Sequence, residues 1–137
     1  MISSNKEYIA AGIIASFKDL VLLGRRSKNC YNLAGHWSMP CGMINRGEDP
    51  KIAAKREFFE ETGVRVNKEI RFLDDFEVEE DKYFALYSME IDDLIFPSSD
   101  AIDAIEHEEW GFFKIEKNSL PEPMTKETRR CILKLRL

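Results

Sequence analysis

The sequence predicts an α/β domain in which a mixed β-sheet is packed between helices. Short apolar segments typical of strands occur along the chain, and helix signals occur twice, once in the middle and once near the end. Because predicted strands stand on both sides of the central helix, the pattern favours a sheet covered by helices. The 137 residues suit a single domain that spans residues 1–137.

The first part of the chain contains two predicted strands and a loop. Residues 8–17 form an apolar run typical of a buried strand, and a turn at Lys18 and Asp19 leads into a second short strand at residues 20–23. Residues 24–47 are rich in Gly, Asn, Ser, Arg and Pro, which predicts a long loop. Long ordered loops often carry function.

The central helix has clear signals at both ends. Asp49 is a good N-cap residue, and Pro50 suits the first helical position. Gly63 is a typical residue at the C-terminal end of a helix. The sequence therefore predicts a helix that begins after Asp49 and ends at Gly63.

The remaining elements are weaker predictions. Strands are expected at about residues 70–77, 82–91 and 110–115, the second of which alternates apolar and polar side chains. Pro121 and Pro123 then interrupt the chain before a last amphipathic helix at about residues 125–135.

The composition of the chain limits its binding partners and its expected place in the cell. A formal net charge of -5 argues against a broad basic surface for nucleic acid or anionic lipid. The apolar run near the N-terminus is shorter than the roughly 20 residues of a membrane span. Cys30, Cys41 and Cys131 lack the spacing of a zinc site or a disulfide framework. We expect a cytoplasmic monomer or homodimer with reduced thiols and with no nucleic-acid or membrane partner.

Clustered carboxylates mark the central helix. Glu57, Glu60 and Glu61 are spaced i, i+3 and i+4, so they project from one side of it. The other side is expected to pack on the sheet through Ile52, Phe58 and Phe59. Such a cluster is often only a solvated helix face. Here it follows a glycine-rich loop, with Glu48 just before the helix, and this arrangement suits a hard cation such as Mg²⁺.

The spacing of these residues resembles the complete Nudix box, the signature of hydrolases that act on nucleoside diphosphates linked to another moiety. Seven identities stand at set positions, and an aliphatic residue follows them: Gly42, Glu48, Arg56, Glu57, Glu60, Glu61, Gly63 and then Val64. Chance would produce them at about 10⁻⁸ per starting position. The resemblance implies the α/β/α sandwich of that family across essentially the whole chain.

The resemblance also implies roles inside the box. Glu57, Glu60 and Glu61 would be ligands of Mg²⁺ or Mn²⁺, and Glu48 would lie in or near the metal shell. Glu57 would also be a candidate for the base that activates water, and Arg56 would hold it by a charge-assisted hydrogen bond. The residues implied in catalysis are therefore Glu57, Arg56 and Glu60.

Residues outside the box are further candidates. Cys41 stands where the family usually has glycine, and its backbone carbonyl would face the metal. Members often add an acidic residue from a later segment, which leaves Glu109 or Glu106 open here. His107, in the same segment, could touch substrate, but it is expected to be an exposed structural histidine.

Candidate substrate contacts lie in the loop after the second strand. Arg25 and Arg26 could reach phosphates, although a solvated pair is an equal alternative. Trp37 could stack on a base or pack at the edge of the core.

The implied activity is metal-dependent hydrolysis of a diphosphate linkage by an activated water, without a covalent enzyme intermediate. The substrate would be a small nucleotide, either a nucleoside triphosphate or a nucleotide-sugar. Alternatives are a pyrophosphatase for ADP-ribose or another dinucleotide, and a nucleotide-binding sensor that does not catalyse.

Overall fold

A computed structural model describes residues 5–28 and 33–135 of the chain. The elements, in chain order, are β1 (Glu7–Phe17), β2 (Leu20–Arg26), β3 (Trp37–Ser38), β4 (Cys41–Met43), α1 (Pro50–Thr62), β5 (Arg71–Glu79), β6 (Lys82–Glu90), β7 (His107–Lys114) and α2 (Lys126–Leu133). A single 3₁₀ turn, Ala104–Glu106, precedes β7. Neither helix in the described part of the chain has the length and apolar character that a membrane crossing requires.

The strands form one mixed sheet. Its main path is β3-β2-β1-β6-β5, with β4 paired to β1 and β7 paired to β2. The pairing of β1 with β6 is parallel, and the other pairings are antiparallel. The prediction of a mixed sheet is confirmed.

The two helices cover opposite faces of this sheet. Successive side chains of a strand point to opposite faces, so β1 serves both layers. Ile13 packs in the same apolar cluster as Phe58 of α1, whereas Ile14 packs with Ile132 of α2. This arrangement is the predicted α/β/α sandwich.

The loop predicted at residues 24–47 is more structured than expected. The second strand continues to Arg26, and β3 and β4 follow within the same segment. Both are only two or three residues long, which is too short for a recognisable sequence pattern. Pairing with β2 and β1 holds them in place.

The ends of α1 match the prediction. The side chain of Asp49 accepts a hydrogen bond from the backbone N–H of Lys51 at 2.9 Å. Gly63 adopts a left-handed conformation with φ of 78°, and its N–H donates to the carbonyl of Phe59 at 2.8 Å. Glycine takes this conformation without steric cost.

The buried face of α1 differs from the prediction. Phe58 is buried, but Ile52 is 59% exposed, and Phe59 lies under the guanidinium of Arg65 at 4.4 Å. The buried positions include two of the glutamates: Ala53, Ala54, Glu57, Phe58, Glu61 and Thr62. The expectation that the glutamates and the packing residues occupy opposite sides was wrong, because Glu57 and Glu61 are buried together with Phe58.

Candidate active site

Close contact between β4 and α1 creates the floor of the site. Gly42 pairs with Ala11 of β1 and lies directly beneath Glu57. A Cβ atom at position 42 would overlap the carboxylate of Glu57, with Oε1 only 2.6 Å away. Glycine is therefore the residue that leaves room for this carboxylate.

Arg56 connects the carboxylates of the site. Its Nε and Nη2 donate to the two oxygens of Glu48, both at 2.9 Å. Its Nη1 donates to Glu57 at 2.9 Å and to Glu60 at 3.1 Å. A further bond runs from Nη2 to the carbonyl of Met43 at 2.9 Å. Since these bonds are charge-assisted, one guanidinium orients three carboxylates at once.

Arg56 also acts to lower the pKa values of two carboxyl groups that it binds, those of Glu48 and Glu57. Its hydrogen bond to Glu48 is the main cause that lowers the pKa of that carboxyl group. For Glu57, burial raises the pKa more than Arg56 lowers it. The two carboxylates thus differ in proton affinity although they share one arginine.

Three carboxylates form a compact group that we call the acidic triad: Glu57, Glu60 and Asp103. Each offers an oxygen, and these three oxygens lie within 4.8 Å of one another. Asp103 comes from the segment before β7, and its N–H donates to the backbone carbonyl of Glu60 at 2.7 Å. Oxygen atoms are the ligands that Mg²⁺ and Mn²⁺ prefer, so the triad fits such a cation.

Glu61 lies beside the triad in the interior. It has no exposed surface, and neither of its carboxylate oxygens has a hydrogen-bond partner among the described residues. Burial, and then the charges of Glu106 and Glu57, raise the pKa of Glu61 well above its ordinary value. A buried carboxylate without a partner is costly, and a nearby cation would offset that cost.

The structure separates the two later acidic candidates. Burial and the charge of Asp103 raise the pKa of Glu106, and Glu57 and Glu60 contribute to the same shift. Glu106 therefore lies near the triad. Glu109 instead accepts a hydrogen bond from Arg25 Nε at 2.7 Å.

The predicted substrate contacts lie in different places. Arg25 makes ion pairs with Glu109 and, at 2.9 Å, with Glu108. Burial, and then the positive charge of Arg26, lower the pKa of His107, so Arg26 lies near that buried ring. Trp37 packs edge-on against Phe113, with ring centroids 5.1 Å apart, on the α2 side. A substrate contact by any of the three stays a prediction.

Cys41 directs its side chain away from the triad. It packs against the apolar cluster under α2, whereas its neighbour Gly42 faces Glu57. Burial, and then the charge of Glu61, raise the pKa of the Cys41 thiol. The sulfur stays protonated, and the carbonyl remains the predicted ligand atom. Cys131 is a buried free thiol, and Cys30 lies outside the described residues.

The sequence did not predict two features of the site, the position of Asp103 and the burial of His107. Asp103 lies in the acid-rich segment 100–109, but nothing in that segment distinguishes it from Asp100 or Glu106 before the chain is folded. His107 was expected to be exposed, yet it is 7% exposed and stacks on Trp110 with centroids 4.4 Å apart. It is buried because its ring lies against Trp110 and Gly24.

Comparison with known sequences gives a family for almost the whole chain. The NUDIX domain matches residues 6–135. An RNA pyrophosphohydrolase from Roseobacter denitrificans is 52% identical over 44 residues, which are 32% of this chain and 26% of the relative. Nudix hydrolase 25 from Arabidopsis thaliana is 64% identical over 33 residues, or 24% of this chain and 19% of the relative. The chain thus matches about a quarter or less of the length of these relatives.

Solved structures with the same fold cover the chain more fully. The MutT protein from Methanosarcina mazei Go1 has a TM-score of 0.73 and 26% identity, and the match covers 98% of this chain and 96% of that one. The NUDIX domain of Shewanella oneidensis NrtR, complexed with ADP ribose, has a TM-score of 0.71 at 15% identity, covering 96% and 86%. The second likeness shows the fold alone. Since the family match extends from residue 6 to residue 135, the chain belongs to the NUDIX domain family.

Proposed function

We propose that the protein is a divalent-cation-dependent pyrophosphohydrolase that cleaves a diphosphate linkage in a nucleoside di- or triphosphate derivative. The observation that carries this proposal is the acidic triad, in which Arg56 fixes two carboxylates and the backbone of Glu60 holds Asp103. Membership of the NUDIX domain family supports it.

Mg²⁺ or Mn²⁺ is the cation that suits this donor set. When bound, it would neutralise phosphate oxygens and lower the pKa of the attacking water. The triad would hold the cation, and the further candidate ligands are Glu61, Glu48, Glu106 and the carbonyl of Cys41.

Glu57 is the best candidate for the proton acceptor. Its carboxylate is a member of the acidic triad, so it would lie beside a water that the bound cation activates. Arg56 and the gap above Gly42 hold its carboxylate in one orientation. The side chain can therefore take a proton from water without a covalent intermediate.

Two substrate classes have specific support. A small nucleotide, such as a nucleoside triphosphate or a nucleotide-sugar, is the first candidate, because the net charge of -5 argues against a broad basic surface for nucleic acid. A phosphorylated RNA 5′ end is the second candidate, because curated relatives carry the name RNA pyrophosphohydrolase. ADP-ribose is a further alternative that the box spacing leaves open.

The test is a turnover screen with Mg²⁺ and with Mn²⁺. Its substrates are nucleoside triphosphates, nucleotide-sugars, ADP-ribose, dinucleoside polyphosphates and a 5′-triphosphorylated oligoribonucleotide. We expect cation-dependent release of a phosphorylated product from at least one class. Tight nucleotide binding without turnover of any of them would contradict the proposal and favour a sensor.

A matched pair of variants tests the residues. Glu57→Gln removes one charge from the triad and should lower turnover by about 10²-fold or more, roughly 3 kcal/mol. Glu69→Gln makes the same change at an exposed residue that pairs only with Lys51 in the described structure, and it should keep the wild-type rate. Equal rates for the two folded variants would refute the assignment.

A further inference from the structure

A buried histidine lies against Glu61 and takes no part in the acidic triad. His107 is the first residue of β7, and its ring stacks on Trp110. On another side it meets Gly24, where an added Cβ would come within 2.6 Å of the ring atom Cδ2. Neighbours on two sides therefore fix the position of the imidazole.

The polar atoms of His107 and Glu61 approach each other in the interior, where Glu61 also lies near Glu57 and the backbone of Cys41. Both ring nitrogens and both carboxylate oxygens are buried and have no hydrogen-bond partner among the described residues. The shortest approach is 3.6 Å, from Nε2 of His107 to Oε1 of Glu61. Each buried polar group left unsatisfied costs about 1–3 kcal/mol, so a small shift that joins these two atoms is favoured.

We propose that His107 is a positioning residue that donates its Nε2–H to Oε1 of Glu61 and so fixes the orientation of that carboxylate toward the cation. The inference rests on the proposed function, because it gives Glu61 a role at the metal. Side chains that hydrogen-bond to metal ligands commonly change metal affinity or activity by about 10- to 100-fold when they are lost. A neutral imidazole carries one ring N–H, and Nε2 is the ring nitrogen that approaches the carboxylate of Glu61.

The first test uses two amides of different length. In His107→Gln the amide nitrogen reaches about as far as Nε2, whereas in His107→Asn it reaches only the level of Nδ1. Mn²⁺ affinity, measured by electron paramagnetic resonance, should stay within about threefold of wild type for Gln and fall by about tenfold or more for Asn. Any other pattern, including equal loss in both, would overturn the inference.

A double-mutant cycle separates this inference from the proposed function. In a Glu61→Gln background, His107→Asn should weaken Mn²⁺ binding no further, since the carboxylate it orients is gone. If Glu57→Gln and Glu61→Gln both bind Mn²⁺ as wild type does, the proposed cation site fails. If Glu61→Gln weakens binding but His107→Asn alone does not, only the role of His107 fails.

A measurement on the wild-type protein remains decisive even if variants at position 107 do not fold. The chain has two histidines, so the variant His36→Gln assigns the ¹⁵N resonances of His107. We expect the proton of the neutral ring on Nε2, both in EDTA and with Mg²⁺. A proton on Nδ1 would refute the proposal.

Discussion

Gly42 has no side chain, and the carboxylate of Glu57 occupies the space that this leaves. Gly42→Ala places a methyl group where Glu57 now is, and the carboxylate is the flexible end that must move. We expect turnover and Mn²⁺ affinity to fall by about tenfold or more, since small displacements at a reacting centre are costly. The unfolding midpoint should change little.

The control for this substitution is the next residue in the same strand. Met43→Ala removes an exposed side chain and leaves the backbone carbonyl that binds Arg56. It should keep the wild-type rate. A Gly42→Ala protein with full activity would show that the contact with Glu57 does not matter for the site.

The geometry of Arg56 leads to a second prediction at this scale. Lysine keeps the charge but has a single ammonium group, so it cannot bind both oxygens of Glu48 and also reach Glu57 and Glu60. Arg56→Lys should lower turnover by about tenfold or more. Arg65→Lys, an equivalent change at an exposed arginine over Phe59, should not. The prediction fails if both variants have the wild-type rate.

Among the elements, α1 shows what the sequence can and cannot predict. Its ends were predictable because Asp49, Pro50 and Gly63 act through local backbone chemistry. Its buried face was not, because the side that meets the sheet carries Glu57 and Glu61 where an amphipathic helix would have apolar residues. A hydrophobic pattern cannot predict the buried face of a helix when charged residues occupy that face.

The N-cap of α1 gives a prediction about stability. Asp49→Ala removes the acceptor of the Lys51 N–H and should lower the free energy of unfolding by about 1 kcal/mol. Asp49→Asn keeps an acceptor and should lose only a fraction of this. Urea denaturation in EDTA measures both. Identical losses would mean that the cap bond does not stabilise the helix.

For the whole molecule, the family and the sandwich fold were predictable, whereas the full acidic site was not. The box spacing in residues 42–63 identifies the family and includes four of the site carboxylates, Glu48, Glu57, Glu60 and Glu61. Asp103 joins them only because its segment bonds to the end of α1, through Asp103 N–H to Glu60 and Ser98 N–H to Thr62. Such long-range contacts produce no periodic pattern of residues, so the sequence does not predict them.

Buried carboxyl groups make the stability of the cation-free protein depend on pH. The pKa of Glu61 is raised above 4.5, so above that pH the folded state keeps a proton that the unfolded state has lost. The free energy of unfolding in EDTA should therefore fall as pH rises above 4.5 and through the raised pKa of this group. Glu57 and Glu106 shift in the same direction, and His107, with a lowered pKa, opposes them below pH 6.5.

The difference in stability between the wild type and Glu61→Gln isolates the contribution of Glu61, because both proteins contain Glu57, Glu106 and His107. The wild type should lose stability relative to the variant as pH rises, and thermal melts in EDTA measure the difference. Millimolar Mg²⁺ should raise the wild-type midpoint, since a ligand that binds only the folded state stabilises it. A difference that grows in favour of the wild type with rising pH would contradict the assigned shift.

The sheet pairs strands from the beginning and the end of the chain, so the site can be completed only late in translation. β2 meets β7 through contacts such as Arg25 with Glu109, which are 84 residues apart in the chain, and β1 lies parallel to β6. A ribosome releases α1 with its carboxylates after β1 to β4 but before β6, and Asp103 follows between β6 and β7. A nascent chain therefore carries the acidic helix before its sheet can be completed. The triad needs Asp103, so a shorter nascent chain lacks one of its three carboxylates.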